Sequence, residues 1–164
     1  MDQPSQRPPH GSEGRRVLLP KTVAEKALPT LVGAPLNVSD DLREHDRRHP
    51  VGLVTRASIE GGAVHIEGVL FKRNLPDAVA RIQANKDQLG LSYAVTDCQV
   101  REEHAPVWVR DSFTYTGATI LAKSAAAYGT KTSIAAVAAQ RQPDGWGIAM
   151  RALRRQARVV AGQL

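Results

Sequence analysis

Alternation of apolar and polar residues through the middle of the chain predicts a domain built mainly from β-strands. Two of the alternating runs are separated by Gly61 and Gly62, and a Gly-Gly pair between strands is a hairpin signal. A short apolar run ahead of the hairpin predicts an entry strand, which a polar loop follows. Two longer runs predict a second pair of strands, the later one bent near Gly117. The predicted strands span residues 31–38, 51–60, 63–71, 91–100 and 107–121.

A helix is predicted between the hairpin and the two later strands. Asn74 is a candidate N-cap, and Pro76 and Asp77 suit the first turn of a helix. The helix is expected to run to about Leu89, after which Gly90 takes a positive φ and closes it. Its predicted buried stripe comprises Leu75, Ala78, Val79 and Ile82.

The two ends of the chain differ from this middle part. Residues 1–22 are rich in Pro, Gly, Ser, Gln and Arg and poor in apolar residues, which predicts a disordered arm. Residues 140–164 predict a basic amphipathic helix, because arginines lie largely off an apolar stripe of helical period. Such a helix docks on its own domain, on a partner or on an anionic surface. The folded domain is therefore predicted to span residues 23–139.

The net charge of +6 comes from the chain ends rather than from the predicted domain. Residues 27–139 contain twelve basic and twelve acidic side chains, whereas residues 1–26 contribute +2 and residues 140–164 contribute +4. This distribution does not support a basic binding face on the folded body, and aromatic residues for base stacking are scarce, at 4%. Nucleic acid is therefore disfavoured as a partner, except through the basic C-terminal tail.

The composition also argues against disulfides, metal sites and membrane-spanning segments. Cys98 is the only cysteine, which excludes an internal disulfide and a four-cysteine zinc site. His45 and His49 have the spacing of helical zinc ligands, but Pro50 opposes a helix there and no third ligand is evident. We therefore expect no metal and no cofactor. No apolar run reaches the roughly 18 residues of a membrane span, and residues 1–10 lack a secretory signal core, so a cytoplasmic protein is expected.

Ser92 is a candidate nucleophile, because it follows a glycine at the start of an alternating strand, where a side chain can face a cleft. A serine hydroxyl needs a base within hydrogen-bond reach, and histidine is the usual base because its pKa lies near neutral pH. His10 lies in the predicted arm, and His65 and His104 are expected to be solvated. The remaining histidines, His45 and His49, lie in the polar loop that leads into the hairpin.

The order of these features resembles the prohead (capsid maturation) serine proteases of tailed phages, which are relatives of the herpesvirus assembly protease. The shared pattern is a Gly-x-Pro segment, here at residues 33–35, then His45, then a Val-Gly pair that ends at Gly52, seven residues later. A hairpin and a helix follow, and Ser92 of a Gly-Leu-Ser sequence opens the next strand. The resemblance covers about residues 28–137. It implies an α+β fold, a small and mainly antiparallel β-barrel flanked by helices.

By this resemblance, Ser92 would be the nucleophile of peptide hydrolysis through an acyl-enzyme, and His45 the general base. Where many relatives have an acidic residue in the strand after the serine, this chain has Thr116. A threonine offers a hydrogen bond to His45 but no charge to stabilise an imidazolium. The third role therefore stays open between Thr116, Asp46 and Asp97. Asp97 ranks below Thr116, since regular alternation places it on the strand face opposite the serine. Oxyanion donors are expected in residues 101–106 or 113–116.

The resemblance implies a serine endopeptidase that cleaves scaffold protein, capsid protein and itself inside an assembling procapsid, in the cytoplasm of the host cell. It leaves self-association open. The alternative is a catalytically weak or inactive assembly module of the same fold that binds capsid or scaffold protein. Thr116 in place of a carboxylate keeps that alternative open. A nucleic-acid-binding barrel is the third interpretation, and the neutral middle of the chain counts against it.

Overall fold

The computed structural model describes residues 1–138, so the helix predicted over residues 140–164 lies outside the described part of the chain. The described part is a mixed α/β structure in which a six-stranded sheet dominates and the two α-helices are short. The strands are β1 (Arg16–Leu18), β2 (Pro35–Val38), β3 (Pro50–Glu60), β4 (Ala63–Leu70), β5 (Leu89–Val100) and β6 (Val107–Ala122). The α-helices are α1 (Lys21–Ala27) and α2 (Pro76–Ala84), and 3₁₀ turns span Leu28–Leu31, Lys86–Gln88 and Gly129–Lys131.

The sheet is organised around β6, which pairs with three other strands. β5 runs antiparallel to β6 along most of its length, whereas β1 and β2 pair in parallel with its beginning and its end. β2 continues through antiparallel pairs to β3 and β4, and the β3–β4 hairpin turns at the two glycines predicted for it. The strand order β1-β6-β2-β3-β4, with β5 beside β6, has free ends. The sheet is therefore not closed, and the barrel implied by the resemblance is not confirmed.

A β-bulge at Thr116 changes which residues of β6 face the core. Gly117 pairs with Ala94 of β5, whereas Tyr115 pairs with the very next residue of β5. Thr116 between them is therefore an extra residue in the ladder. Because side chains alternate along a strand, one extra residue reverses the assignment of faces beyond it. The core-facing residues of β6 are accordingly Phe113 and Tyr115 before the bulge, and Ala118 and Ile120 after it.

The hydrophobic core lies between this face of the sheet and the helical segments. In α2, Ile82 is fully buried and Val79 is almost fully buried, as predicted, whereas Leu75 of the predicted stripe precedes the helix and is 38% exposed. Val51 and Val54 of β3 are also fully buried and belong to the same cluster. Full burial of a side chain of this size contributes about 1.5–3 kcal/mol. The core, which also includes Leu36 and Val38 of β2, thereby fixes β2 and β3, the strands that flank the loop of His45.

The N-terminal segment corrects the expectation of a disordered arm over residues 1–22. β1 pairs in parallel with the start of β6, and Pro4 forms an isolated bridge with Leu18. Ser5 is fully buried, and its hydroxyl accepts a hydrogen bond from the Val17 N–H at 3.0 Å. Backbone pairing to a distant strand holds this segment, together with the burial of Val17 and Leu19. Local composition does not reveal such pairing.

The helix predicted over residues 74–89 is shorter in the structure. α2 ends at Ala84, a 3₁₀ turn follows, and Leu89 already belongs to β5. Gly90 therefore does not close a helix, and its φ is not positive. A Cβ at Gly90 would collide with the Thr132 side chain, so glycine is required there for close approach. Among residues 1–138, no helix combines the length and apolar composition needed to span a bilayer.

Candidate active site

His45 lies in the loop between β2 and β3, and Ser39 fixes the first half of that loop. The Ser39 hydroxyl accepts hydrogen bonds from the N–H groups of Arg43 and Glu44, at 3.1 and 3.2 Å. It also donates to Asp41 Oδ1 at 2.8 Å. Short polar side chains commonly satisfy nearby backbone groups in this way where no ladder is present. The polar composition of the loop thus gives it a defined path up to the residue before His45.

Leu42 joins this loop to the strand that carries the site. Its C=O accepts a hydrogen bond of 2.6 Å from the N–H of Ala122, the last residue of β6. Leu42 has a φ of +59°, in the left-handed region that few residues other than glycine adopt. Its side chain packs against the hydrophobic core. The loop is therefore held over the end of β6, close to where His45 meets the sheet.

Asp46 organises the second half of the loop and does not serve as the partner of His45. Its carboxylate accepts hydrogen bonds from the Arg48 guanidinium and, at 2.9 Å, from the Arg48 N–H. His49 Nδ1 lies 2.7 Å from Asp46 Oδ2. The bonds from Arg48, followed by that from His49, hold the pKa of the Asp46 carboxyl far below its usual range. Asp46 is thus an ionised anchor for Arg48 and His49.

Ser92 and Thr119 face each other across the β5–β6 ladder. The two residues are direct partners in the antiparallel register, so their side chains lie on the same face of the sheet. The flanking residues of β5, Leu91 and Tyr93, pack against the core on the other face. Ser92 and Thr119 therefore present their hydroxyls away from the core, on what we call the site face.

His45 bridges these two hydroxyls. Its Nε2 lies 3.0 Å from Ser92 Oγ, and its Nδ1 lies 3.2 Å from Thr119 Oγ1. Both distances are within hydrogen-bond range for groups of this kind. One imidazole nitrogen thus faces a candidate nucleophile while the other is held by a fixed hydroxyl. This is the arrangement of a base that is oriented by a third group.

The environment of His45 favours the neutral ring. Loss of hydration at the ring is the main cause that lowers the pKa of His45 below its ordinary value of 6.5, and the charges of Arg47 and His10 lower the pKa further. Although much of the residue is open to solvent, both ring nitrogens face protein hydroxyls. His10 belongs to the N-terminal segment, so that segment also contributes to the electrostatics of the site. A neutral imidazole at neutral pH is the form that can accept a proton.

Thr119, rather than the predicted Thr116, is the threonine that contacts His45. Thr116 lies at the bulge, and its buried hydroxyl makes no hydrogen bond to any of the described residues 1–138. The family pattern placed its acidic position at Thr116, but the bulge there leaves Thr119 on the face that it shares with Ser92. Neither of the two carboxylates considered for the third role fills it. Asp46 bonds to Arg48 and His49, and Asp97 is exposed at a second irregularity of the β5–β6 ladder.

The two segments expected to supply oxyanion donors do not lie beside Ser92. Residues 101–106 form the turn that joins β5 to β6, nine or more positions along the ribbon from Ser92. A regular strand of nine residues is roughly 30 Å long, at about 3.3 Å per residue. In residues 113–116, Thr114 and Tyr115 lie opposite Thr96 and Val95, and the Tyr115 N–H already donates to Thr30 Oγ1 at 2.9 Å. Neither segment is paired with Ser92 in the ladder, so the register does not support an oxyanion hole there.

Asn37 is a further residue of the site that the sequence did not single out. It pairs with Thr119 in the parallel β2–β6 register and is 1% exposed. Its neighbours Leu36 and Val38 both belong to the core cluster, so Asn37 points to the opposite, site face. In the sequence, Asn37 could have been noticed as a single asparagine within an otherwise apolar run. Gly117 inside a predicted strand could likewise have indicated the bulge.

The assembled site contains two hydroxyls, one imidazole and one buried amide. Within residues 1–138, no carboxylate bonds to His45, and no group of three or more His, Cys, Asp or Glu residues is placed to hold a metal ion. Such a site suits the transfer of a serine hydroxyl proton to a neutral histidine. No family model, no curated protein and no solved structure matches the chain.

Proposed function

We propose that this protein is a serine endopeptidase, with Ser92 as the nucleophile and His45 as the general base. The observation that supports this proposal is the 3.0 Å contact between His45 Nε2 and Ser92 Oγ. It joins a loop residue and a strand residue that are 47 positions apart in sequence. The lowered pKa of His45 keeps the ring neutral and ready to accept the serine proton.

The proposed reaction is acyl transfer in two stages. His45 takes the hydroxyl proton of Ser92 as Oγ attacks the scissile carbonyl carbon, and it then returns that proton to the departing amine. Water, deprotonated by the same imidazole, hydrolyses the acyl-enzyme and releases Ser92. Thr119 holds Nδ1 and thereby the orientation of the ring. Because Thr119 supplies no negative charge, the imidazolium is stabilised less than it would be by a carboxylate, and slow turnover is expected.

The proposed substrates are scaffold protein, capsid protein and the enzyme itself, during procapsid maturation in the host cytoplasm. This part rests on the resemblance to prohead proteases. His45 and Ser92, the residues on which that resemblance turns, are in hydrogen-bond contact with each other, which supports applying it to this chain. Capsid and scaffold proteins are accordingly the proposed partners.

A second candidate function is a non-catalytic assembly module that binds capsid or scaffold protein. It is favoured by one observation: no carboxylate contacts His45 in residues 1–138. Loss of an orienting carboxylate can lower the rate by about 10⁴-fold in serine proteases that depend on one. Both candidate functions predict binding to capsid or scaffold protein, but only the protease predicts its cleavage.

The test is cleavage of the cognate capsid or scaffold protein upon co-expression, followed by fragment sequencing. We expect cleavage by the wild type, and a loss of about 10⁴-fold or more for Ser92→Ala, since that change removes the nucleophile. Ser58→Ala is a matched control, because Ser58 lies on β3 and its hydroxyl bonds only to Glu60 among residues 1–138. Equal cleavage by wild type and Ser92→Ala would refute the assignment to this site. Binding without cleavage by either protein would favour the assembly module.

A further inference from the structure

Asn37, Thr119 and Ser92 form a row across three neighbouring strands of the site face. Asn37 of β2 is paired with Thr119 of β6, and Thr119 is paired with Ser92 of β5. His45 contacts Thr119 and Ser92. Asn37 is beside Thr119 but 1% exposed, so it cannot touch a substrate. Any influence of Asn37 on chemistry must pass through Thr119.

The amide oxygen of Asn37 is a buried acceptor without a donor. Asn37 Oδ1 makes no hydrogen bond to any of residues 1–138. Its amide lies over the glycine of the bulged strand: a Cβ at Gly117 would be 3.2 Å from Asn37 Nδ2. Buried polar atoms are nearly always satisfied in folded proteins, so an orphan next to a reactive group calls for an explanation.

The direction of the hydrogen bond between Thr119 and His45 determines which ring nitrogen of His45 carries the proton. A threonine hydroxyl has one proton to donate and two lone pairs to accept with. If it donates to His45 Nδ1, the ring proton is on Nε2, and Nε2 cannot accept the proton of Ser92. If it accepts from Nδ1–H, Nε2 is free to act as the base. In the second case the Thr119 proton needs another acceptor, and within residues 1–138 Thr119 Oγ1 has no hydrogen bond other than that with His45.

We propose that Asn37 is a positioning residue that sets the tautomer of His45. Asn37 Oδ1 accepts the Thr119 hydroxyl proton, Thr119 Oγ1 accepts from His45 Nδ1–H, and Nε2 is left to take the proton of Ser92. The Asn37–Thr119 bond is not made in the present side-chain geometry, so this bond requires the Asn37 amide to rotate from its present position. This role rests on the proposed function, because a tautomer has a consequence only if His45 is a base.

The first test reads the tautomer directly in the full-length wild-type protein. ¹⁵N NMR of labelled histidine, above the pKa of His45 and with Ser92→Ala and His45→Gln used for assignment, distinguishes a protonated from an unprotonated ring nitrogen. We expect the proton on Nδ1. A proton on Nε2 in the wild type would overturn the proposal, whatever the variants show.

The second test removes and restores the acceptor. Asn37→Ala should move the proton of His45 to Nε2 and lower kcat about tenfold at unchanged KM, because the competent tautomer becomes the minor one. Asn37→Asp, which keeps an oxygen at that position, should retain Nδ1–H. Val38→Ala is the matched control: it truncates the adjacent residue of β2 on the core face and should leave the tautomer unchanged.

The outcomes separate this inference from the proposed function. The NMR measurement needs no turnover, so an inert protein with Nδ1–H dependent on Asn37 would refute the protease but retain the effect of Asn37 on the tautomer of His45. An active protease whose His45 tautomer is the same in wild type and Asn37→Ala would refute the positioning role alone. A shift in Val38→Ala equal to that in Asn37→Ala would also refute it, because any cavity in β2 would then have the same effect.

Discussion

The two parts of β6 on either side of Thr116 serve different purposes. Before the bulge, Phe113 and Tyr115 fill the core with rings that meet edge to face, their centroids 4.9 Å apart. After the bulge the side chains are smaller, the strand pairs with both β2 and β5, and Thr119 faces His45. The first part of the strand thus supplies core side chains, whereas the second part supplies core side chains on one face and the site on the other. One inserted residue therefore decides which threonine can reach the histidine.

Thr116 and Thr119 show the same difference at the level of single hydroxyls. Thr119 is 1% exposed, and its hydroxyl contacts a ring nitrogen of His45. The Thr116 hydroxyl is also buried, but it has no partner within residues 1–138. Two threonines three positions apart therefore differ in whether their buried hydroxyl has a hydrogen-bond partner. One satisfies a functional group, and the other leaves a polar atom buried at a cost of about 1–3 kcal/mol.

The largest effect is expected from deletion of Thr116, which removes the bulge. Without the extra residue, Ala118 and Ile120 would turn to the site face and Thr119 to the core. We expect the free energy of unfolding to fall by about 3 kcal/mol or more, since Ile120 loses its burial and a hydroxyl is forced into an apolar environment. Urea denaturation measures this change. Deletion of Glu102, in the turn between β5 and β6, is the control, and equal losses in the two deletions would show that the bulge does not set the faces.

An intermediate effect is expected from Thr119→Val, with Thr116→Val as its matched partner. Thr119→Val removes the hydroxyl that orients His45 and should lower kcat about tenfold, less than loss of a charged partner would. Thr116→Val removes an unsatisfied buried hydroxyl, so it should leave kcat unchanged and raise the free energy of unfolding by about 1 kcal/mol. Steady-state kinetics and denaturation curves of both variants measure these effects. A loss of kcat in Thr116→Val with none in Thr119→Val would restore the assignment made from the sequence.

The smallest effect concerns pH, and it tests the electrostatics of the site beyond the bulge. His45 must be neutral to act as a base, and its pKa is lowered, so kcat/KM should reach half its maximum at a pH below 6.5. The unfolded chain binds this proton more readily. The contribution of His45 to the free energy of unfolding is therefore fully present above pH 6.5 and is lost as the pH falls through the folded-state pKa. Arg47→Gln should raise the midpoint of the pH profile of kcat/KM toward 6.5, whereas Arg43→Gln should not. A midpoint above 6.5 in the wild type would contradict the loss of hydration at the ring.

Much of the fold follows from local pattern, and the remainder depends on pairing between distant segments. The β3–β4 hairpin could be predicted because its strands are adjacent in sequence and its turn is marked by two glycines. The ordered structure of residues 1–22 could not be predicted, because β1 is paired with a strand about 90 residues later. Gly90 was interpreted as a helix end, since its actual constraint, the Thr132 side chain, lies 42 positions away in sequence.

The candidate site divides in the same way. His45 and Ser92 could be singled out because each lies in a recognisable stretch, and the structure places them in contact. Thr119 could not be identified, because its face depends on an irregularity that alternation alone does not contain. Asn37 was missed for a related reason: the asparagine in an apolar run was visible, but its place beside Thr119 depends on a parallel register with β6 that β2 alone does not contain.

The central place of β6 also has a consequence for how the molecule acquires its structure. Among the described strands β6 is the last in sequence, and it pairs with β1, β2 and β5, all of which precede it. The pairings with β1 and β2 join residues roughly 80 to 90 positions apart. Contacts of such long sequence separation slow folding, because the cost of closing long loops must be met before the pairings are gained. A nascent chain that has not reached residue 119 has neither the partner of His45 nor the strand that aligns Ser92. During synthesis, the proposed proteolytic competence is therefore withheld until nearly the whole sheet has been made.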